Sequence, residues 1–113
     1  MTRDELLQRA AATVSGQRQQ DYGQPEDNFA LIARMWSAYR GIDFDAIDVA
    51  MMMALLKIAR ISSGHGTNDC FIDLAGYAVC GGEIFARAMD VNRKKDITQE
   101  CAEAFNRLAQ REE

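Results

Sequence analysis

The chain has one proline, one histidine and no two cysteines in C-x-x-C spacing. With only Pro25 to interrupt them, long unbroken helices are open to it. Cys70, Cys80 and Cys101 are an odd set without metal-ligand spacing. They point to reduced thiols buried as small hydrophobes, not to a disulfide framework or a zinc site. No arrangement of Ser, Cys or His suggests a nucleophilic triad. Basic residues are outnumbered 13 to 17, giving a net charge of −4 and a pI near 5.0. The surplus of Lys and Arg that a nucleic-acid polymer requires is therefore missing. No apolar run is long and charge-free enough to span a bilayer, so no membrane partner is expected. The N-terminal MTRDELLQRAA lacks the apolar segment of a secretory signal, and the expected location is cytoplasmic.

What the chain does contain is ordinary for a soluble globular protein, 48% hydrophobic and 27% charged. Its 113 residues make one domain, small enough for a partner subunit to complete its core. The organising stretch is 45–77. Residues 46–61 are apolar but for Asp48, Lys57 and Arg60, and Met51-Met52-Met53-Ala54-Leu55-Leu56 are good helix formers. Such a helix, apolar all round, is predicted to be buried on every side. The glycines and turn residues of SSGHGTN (62–68) then break the chain, and a second arm begins near Asn68.

Around this hairpin, 45–89, the periodicity predicts an all-α bundle of five helices. The first runs from Thr2 or Arg3 to Val14, with acids in its first turn. The second opens at Pro25, carries Phe29, Ile32, Trp36 and Tyr39 on one face, and stops at Gly41. Asp45 or Asp43 caps the third. The fourth ends near Met89, weakened by Gly76, Gly81 and Gly82, whose crowding suggests close approach of another backbone or a ligand. The charged stretch 91–96 (VNRKKD) reads as a connector, and 97–110 as a fifth, amphipathic helix.

On the hairpin, Lys57 and Arg60 share one face, and Asp69, Asp73 and Tyr77 line another at steps of four. If the arms run antiparallel, Asp69 comes level with Arg60 and Asp73 with Lys57. Asp48 lies about 18 Å further along the third helix, at the rise of an α-helix. Two accounts of these charges stand side by side. In one they are ion pairs that fix the hairpin. In the other, cations kept in a helix built for burial serve a site. Two cations, two carboxylates and an aromatic could hold the phosphates of a nucleotide directly and through Mg²⁺. Arg18, Asp21, Tyr22 and Gly23 would form a lid or a plain loop. Asn28 would read a base or cap its helix, and Trp36 would be core, interface or stacking platform. His65 reads as an exposed loop residue, and Glu100-x-x-Glu103 as a solvated face.

Asp21-Tyr22-Gly23, Asn28-Phe29, Trp36, Lys57-Ile58-Ala59-Arg60 and Asp73-Leu74-Ala75-Gly76-Tyr77-Ala78 together resemble a group of small phage and prophage proteins. That group is described as related to MazG-like, all-α nucleoside triphosphate pyrophosphohydrolases. The resemblance spans about 18–78. It implies a helical homodimer or homotetramer that binds a (deoxy)nucleoside triphosphate with Mg²⁺ and cleaves it to monophosphate and pyrophosphate. The metal and catalytic acids would be Asp69 and Asp73, with Asp48 as a third metal ligand supplied across a subunit interface. Lys57, Arg60 and Arg18 would bind phosphate, and Tyr77, Tyr22 and Asn28 would frame the sugar or base. The catalytic signature of that class is E-x-x-E facing E-x-x-D. Here Asp69 and Asp73 are one residue further apart, and Lys57-x-x-Arg60 stands where the first pair would be. Two alternatives follow, a protein that sequesters nucleotide without cleaving it and a purely structural helical oligomer.

Overall fold

The computed structural model describes residues 1–16 and 23–111. Among these every regular element is helical: α1 (Arg3–Ser15), α2 (Pro25–Arg40), α3 (Ala46–Arg60) and α4 (Asn68–Arg111). A single wide turn, Ile61–His65, joins α3 to α4 and bends at Gly64, whose φ of +84° favours glycine. No helix among the described residues is long and apolar enough to cross a membrane.

Local chemistry accounts for the helix ends. Thr2 caps α1 by accepting from the Glu5 amide. Pro25 opens α2, and Gly41, in the left-handed region with φ of +69°, closes it by donating to the Ser37 carbonyl. Asp45 caps α3 in a reciprocal box: its carboxylate accepts from the Asp48 amide at 2.8 Å, and the Asp48 carboxylate accepts from the Asp45 amide at 3.0 Å. Asp45→Ala should therefore cost about 1 kcal/mol in urea unfolding. A loss within error of zero would mean that α3 starts by packing alone.

Four helices, not five, make up the described chain, because 91–96 is helical and α4 runs for 44 residues. Charge does not end a helix as glycine or proline does, and neither of these follows Gly82. Its C-terminal half leaves the body. The last buried residue of α4 is Ile84, and beyond it only Ala104 is even half-covered. At 1.5 Å per residue the helix is about 66 Å long, which accounts for most of the 72 Å long axis of the molecule.

The second correction concerns α3. It was expected to be buried on all sides, yet only Val49, Ala50 and Ala54 are buried, while Met51, Met52, Leu55, Leu56 and Ile58 are 41–61% exposed. Within one chain α1 and α2 pack on a single side of the α3–α4 hairpin. The core there comprises Phe29, Ala33, Val49, Ala50, Cys80 and Ile84, edged by Val14, Ile32, Trp36, Phe44, Met53 and Tyr77. Two of the three crowded glycines mark close helix contacts. A Cβ on Gly81 would stand 3.0 Å from the Ala50 methyl, and one on Gly76 would stand 3.3 Å from Val14 Cγ1.

Candidate functional site

Where the hairpin meets α1 and α2 the helices leave a cavity of about 260 Å³. Thr13 and Val14 of α1, Pro25, Asn28, Phe29 and Ile32 of α2, Val49 and Met53 of α3, and Asp73, Gly76, Tyr77 and Cys80 of α4 line it. Helical periodicity selects these side chains. Asp73, Gly76, Tyr77 and Cys80 recur at steps of three and four, as do Phe29 and Ile32 with Pro25 and Asn28. The missing side chain at Gly76 lets α1 approach. Phe29 and Tyr77 face each other across the wall, ring centroids 6.2 Å apart and tilted by 37°. The cavity is apolar with a few polar groups, the usual make-up of a small-molecule site, though smaller than most.

Three of the candidate residues, Asn28, Asp73 and Tyr77, thus converge on one space. Asn28 does not cap its own helix, whose N-cap position is Gln24. Asp73 is also held from outside: Lys57 Nζ lies 3.0 Å from its Oδ2, both side chains largely covered at 14% and 25% exposure. The antiparallel register predicted this pair. The companion pair does not form: Arg60 and Asp69 are exposed, and neither makes an ion pair within 4 Å among the described residues. The remaining long-range ion pair in the described chain ties Arg87 to Glu26 at 2.9 Å, with Glu83 one turn earlier completing the cluster.

The acids proposed for a metal are apart. Asp73 is paired with Lys57, Asp69 is exposed at the start of α4, and Asp48 is occupied in the cap of α3. Among the described residues no three His, Cys, Asp or Glu side chains gather to hold an ion. This donor set does not fit Mg²⁺, which demands near-octahedral oxygen ligands from carboxylates and water.

Arg18 and Tyr22 lie outside the described residues, though Pro25 and Asn28 on the cavity wall follow them closely in sequence. Trp36 is half-buried at the edge of the core, edge-on to Phe44 at 6.0 Å, and does not line the cavity. His65 is exposed in the turn beside Ser63 Oγ, 3.2 Å from Nδ1. Glu100 and Glu103 are exposed on the projecting half of α4, where Glu103 accepts from Gln99.

Sequence patterning missed the chemistry of Cys70. It is buried in the first turn of α4, and its thiol is held below the usual thiol range. The main cause is a hydrogen bond from the Thr67 backbone, followed by one from the Thr67 hydroxyl, with Lys57 and Arg60 adding positive potential against the cost of burial. A thiol depressed in this way favours the folded state above its unfolded pKa, and the favour is lost as pH falls through the folded value. The ¹³Cβ resonance of Cys70 should accordingly titrate at lower pH than that of free cysteine, and Thr67→Val should move it upward. An unshifted titration would refute the assignment. Thr67 at the helix entry, three residues before Cys70, was the available sequence signal.

Residues 5–85 match the family model described as Domain of unknown function (DUF6378). The chain is 47% identical over 74 residues to the Gene 55 protein of Mycobacterium phage L5, covering 65% of this chain and 47% of that one. It is 37% identical over 87 residues to the Gene 55 protein of Mycobacterium phage D29, covering 77% and 58%. It spans about half the length of these curated relatives. No solved structure matches it. The family match holds all four helices of the body and stops at residue 85, where α4 leaves it. Since that match covers most of its length, the chain belongs to the DUF6378 family, as a relative of mycobacteriophage proteins.

Proposed function

We propose that this protein binds a (deoxy)nucleoside triphosphate, with the base or nucleoside in the cavity and the phosphates outside it. The observation that carries this is the convergence of Asn28, Asp73 and Tyr77 on one apolar space of about 260 Å³. That volume suits a nucleobase with part of its sugar and is too small for a triphosphate chain. Apolar walls and the Phe29 and Tyr77 rings favour a flat aromatic ligand. The Asn28 amide can donate and accept, while the Asp73 carboxylate accepts, and together they can bond a base edge. Arg60, exposed beyond Lys57 on α3 and without an ion pair among the described residues, is a cation that can meet phosphate.

The MazG-like resemblance supports the ligand class and would add Mg²⁺-dependent cleavage to monophosphate and pyrophosphate. The described acids of one chain do not fit that ion, so the function favoured here is retention of the nucleotide intact. Calorimetric titration with each common dNTP, with and without Mg²⁺, tests it alongside pyrophosphate detection. Binding should appear in the wild type and fall at least tenfold in Asn28→Ala and Tyr77→Ala. If no nucleotide binds or raises the melting temperature, the proposal fails. Release of pyrophosphate would replace retention by hydrolysis.

A further inference from the structure

The described wall of the cavity carries oxygen- or nitrogen-bearing side chains at Thr13, Asn28, Asp73 and Tyr77. Thr13 is committed to its own helix, its hydroxyl donating to the Arg9 carbonyl at 2.9 Å. Asn28 and Tyr77 are half-buried, and neither polar end has a hydrogen-bond partner among the described residues. Asp73 is the one Asp, Glu, Lys or Arg on that wall, and Lys57, which pairs with it, stands outside the lining. A carboxylate has room for about four hydrogen bonds, so the Lys57 ammonium, 3.0 Å from Oδ2, leaves most of its accepting capacity unused.

A carboxylate accepts hydrogen bonds and donates none, so a base edge set against Asp73 must bring N–H groups. The Watson–Crick edge of guanine has two neighbouring donors, N1–H and the N2 amino group, spaced to meet both oxygens of one carboxylate. Adenine and cytosine set a single amino group beside the lone pair of a ring nitrogen. Thymine sets a single N3–H between two carbonyls. Each of these three would turn a lone pair toward an oxygen of Asp73. Among apolar walls that mismatch is costly, because the facing groups have lost their water and gained no partner. The remaining group on the guanine edge, O6, needs a donor, and the unpartnered Asn28 amide supplies one.

We infer that the cavity selects guanine, with Asp73 receiving N1–H and the N2 amino group and Asn28 donating to O6; this rests on the nucleotide reading above. Lys57 then acts as a positioning residue. It holds the Asp73 carboxylate from outside the cavity and offsets its charge without entering the space the base fills. The carboxylate on the wall also repels phosphate, which keeps the phosphates outside and the base within.

Calorimetric titration of the wild type with dGTP, dITP, dATP, dCTP and dTTP tests the assignment. The affinity for dGTP should exceed that for dATP, dCTP or dTTP at least about 30-fold. Hypoxanthine is guanine without the N2 amino group, so dITP should bind at least about tenfold more weakly than dGTP, one hydrogen bond to a charged group being lost. Asp73→Asn turns one acceptor into a donor, while its amide oxygen can still meet Lys57. That variant should prefer deoxyxanthosine triphosphate, in which a carbonyl replaces the N2 amino group, over dGTP. Should it lose its helical circular dichroism, the wild-type comparison of dGTP with dITP still decides the matter. Equal wild-type affinity for the four common dNTPs, or for dGTP and dITP, overturns the guanine assignment and leaves nucleotide binding standing. A folded Asp73→Asn protein that still prefers dGTP overturns it as well. If no nucleotide binds at all, the broader reading falls and takes this one with it.

Discussion

Phe29→Ala should lower the free energy of unfolding by about 3–4 kcal/mol, a large part of what a small domain possesses. Phe29 is 8% exposed, sits in the core between α2, α3 and α4, and packs on the Tyr77 ring. Its removal forfeits the transfer energy of an aromatic side chain and merges the void with the cavity already beside it. The surroundings cannot readily collapse to fill that space, because Ile32 is anchored on α2 and Val49 and Met53 on α3. Tyr39→Ala, at a residue 86% exposed on the same helix, should change stability by less than about 0.5 kcal/mol. Urea unfolding of the two variants gives the comparison. A loss below about 1 kcal/mol for Phe29→Ala would mean that the cavity wall is soft and that α2 does not brace it.

The second large effect concerns the pair that joins the hairpin arms. Asp73→Leu leaves the Lys57 ammonium largely covered without its partner, and should cost about 2–3 kcal/mol. Lys57→Met should cost a similar amount by stranding the carboxylate at the cavity wall. The double variant should recover most of either loss, because two apolar groups in the same place carry no desolvation penalty. A cycle measured by urea unfolding separates this from a surface contact. If each single variant loses under about 0.5 kcal/mol and the losses add, the pair is solvated and fixes nothing. The same cycle bears on ligand binding. The Lys57→Met/Asp73→Leu protein should be folded yet bind nucleotide poorly, since the acceptor on the cavity wall is gone.

The pair illustrates how far spacing carries. The turn residues between the arms and the four-residue steps along α4 are enough to set Asp73 level with Lys57. The same counting matched Asp69 to Arg60, and there it failed. The wide turn bends at Gly64, and next to it both side chains are solvated, so water competes with the ion pair. Register is strict where helices are packed and loose beside a bend. Asp48 is a different case: with Asp45 it makes the pattern D-x-x-D, which a capping box and half of a metal site share. The backbone amides chose the box.

Acting alone, the residue order determined what depends on neighbours within a turn or two. The helix starts near Thr2 and at Pro25, the stop at Gly41, the break after α3 and the facing of Lys57 and Asp73 all belong here, whereas the choice of Asp45 over Asp43 as the cap of α3 does not. Each follows from hydrogen bonds and side-chain directions set locally. Tertiary structure alone decided which side of an apolar helix is covered, because a run that is apolar all round does not say how many neighbours it has. It also decided that 91–96 continues α4, since a charged stretch can be a solvated helix or a loop at similar cost. The cavity belongs to the same class. Its volume comes from how far Gly76 lets α1 approach and how Phe29 and Tyr77 stand apart, distances that arise only when four helices meet.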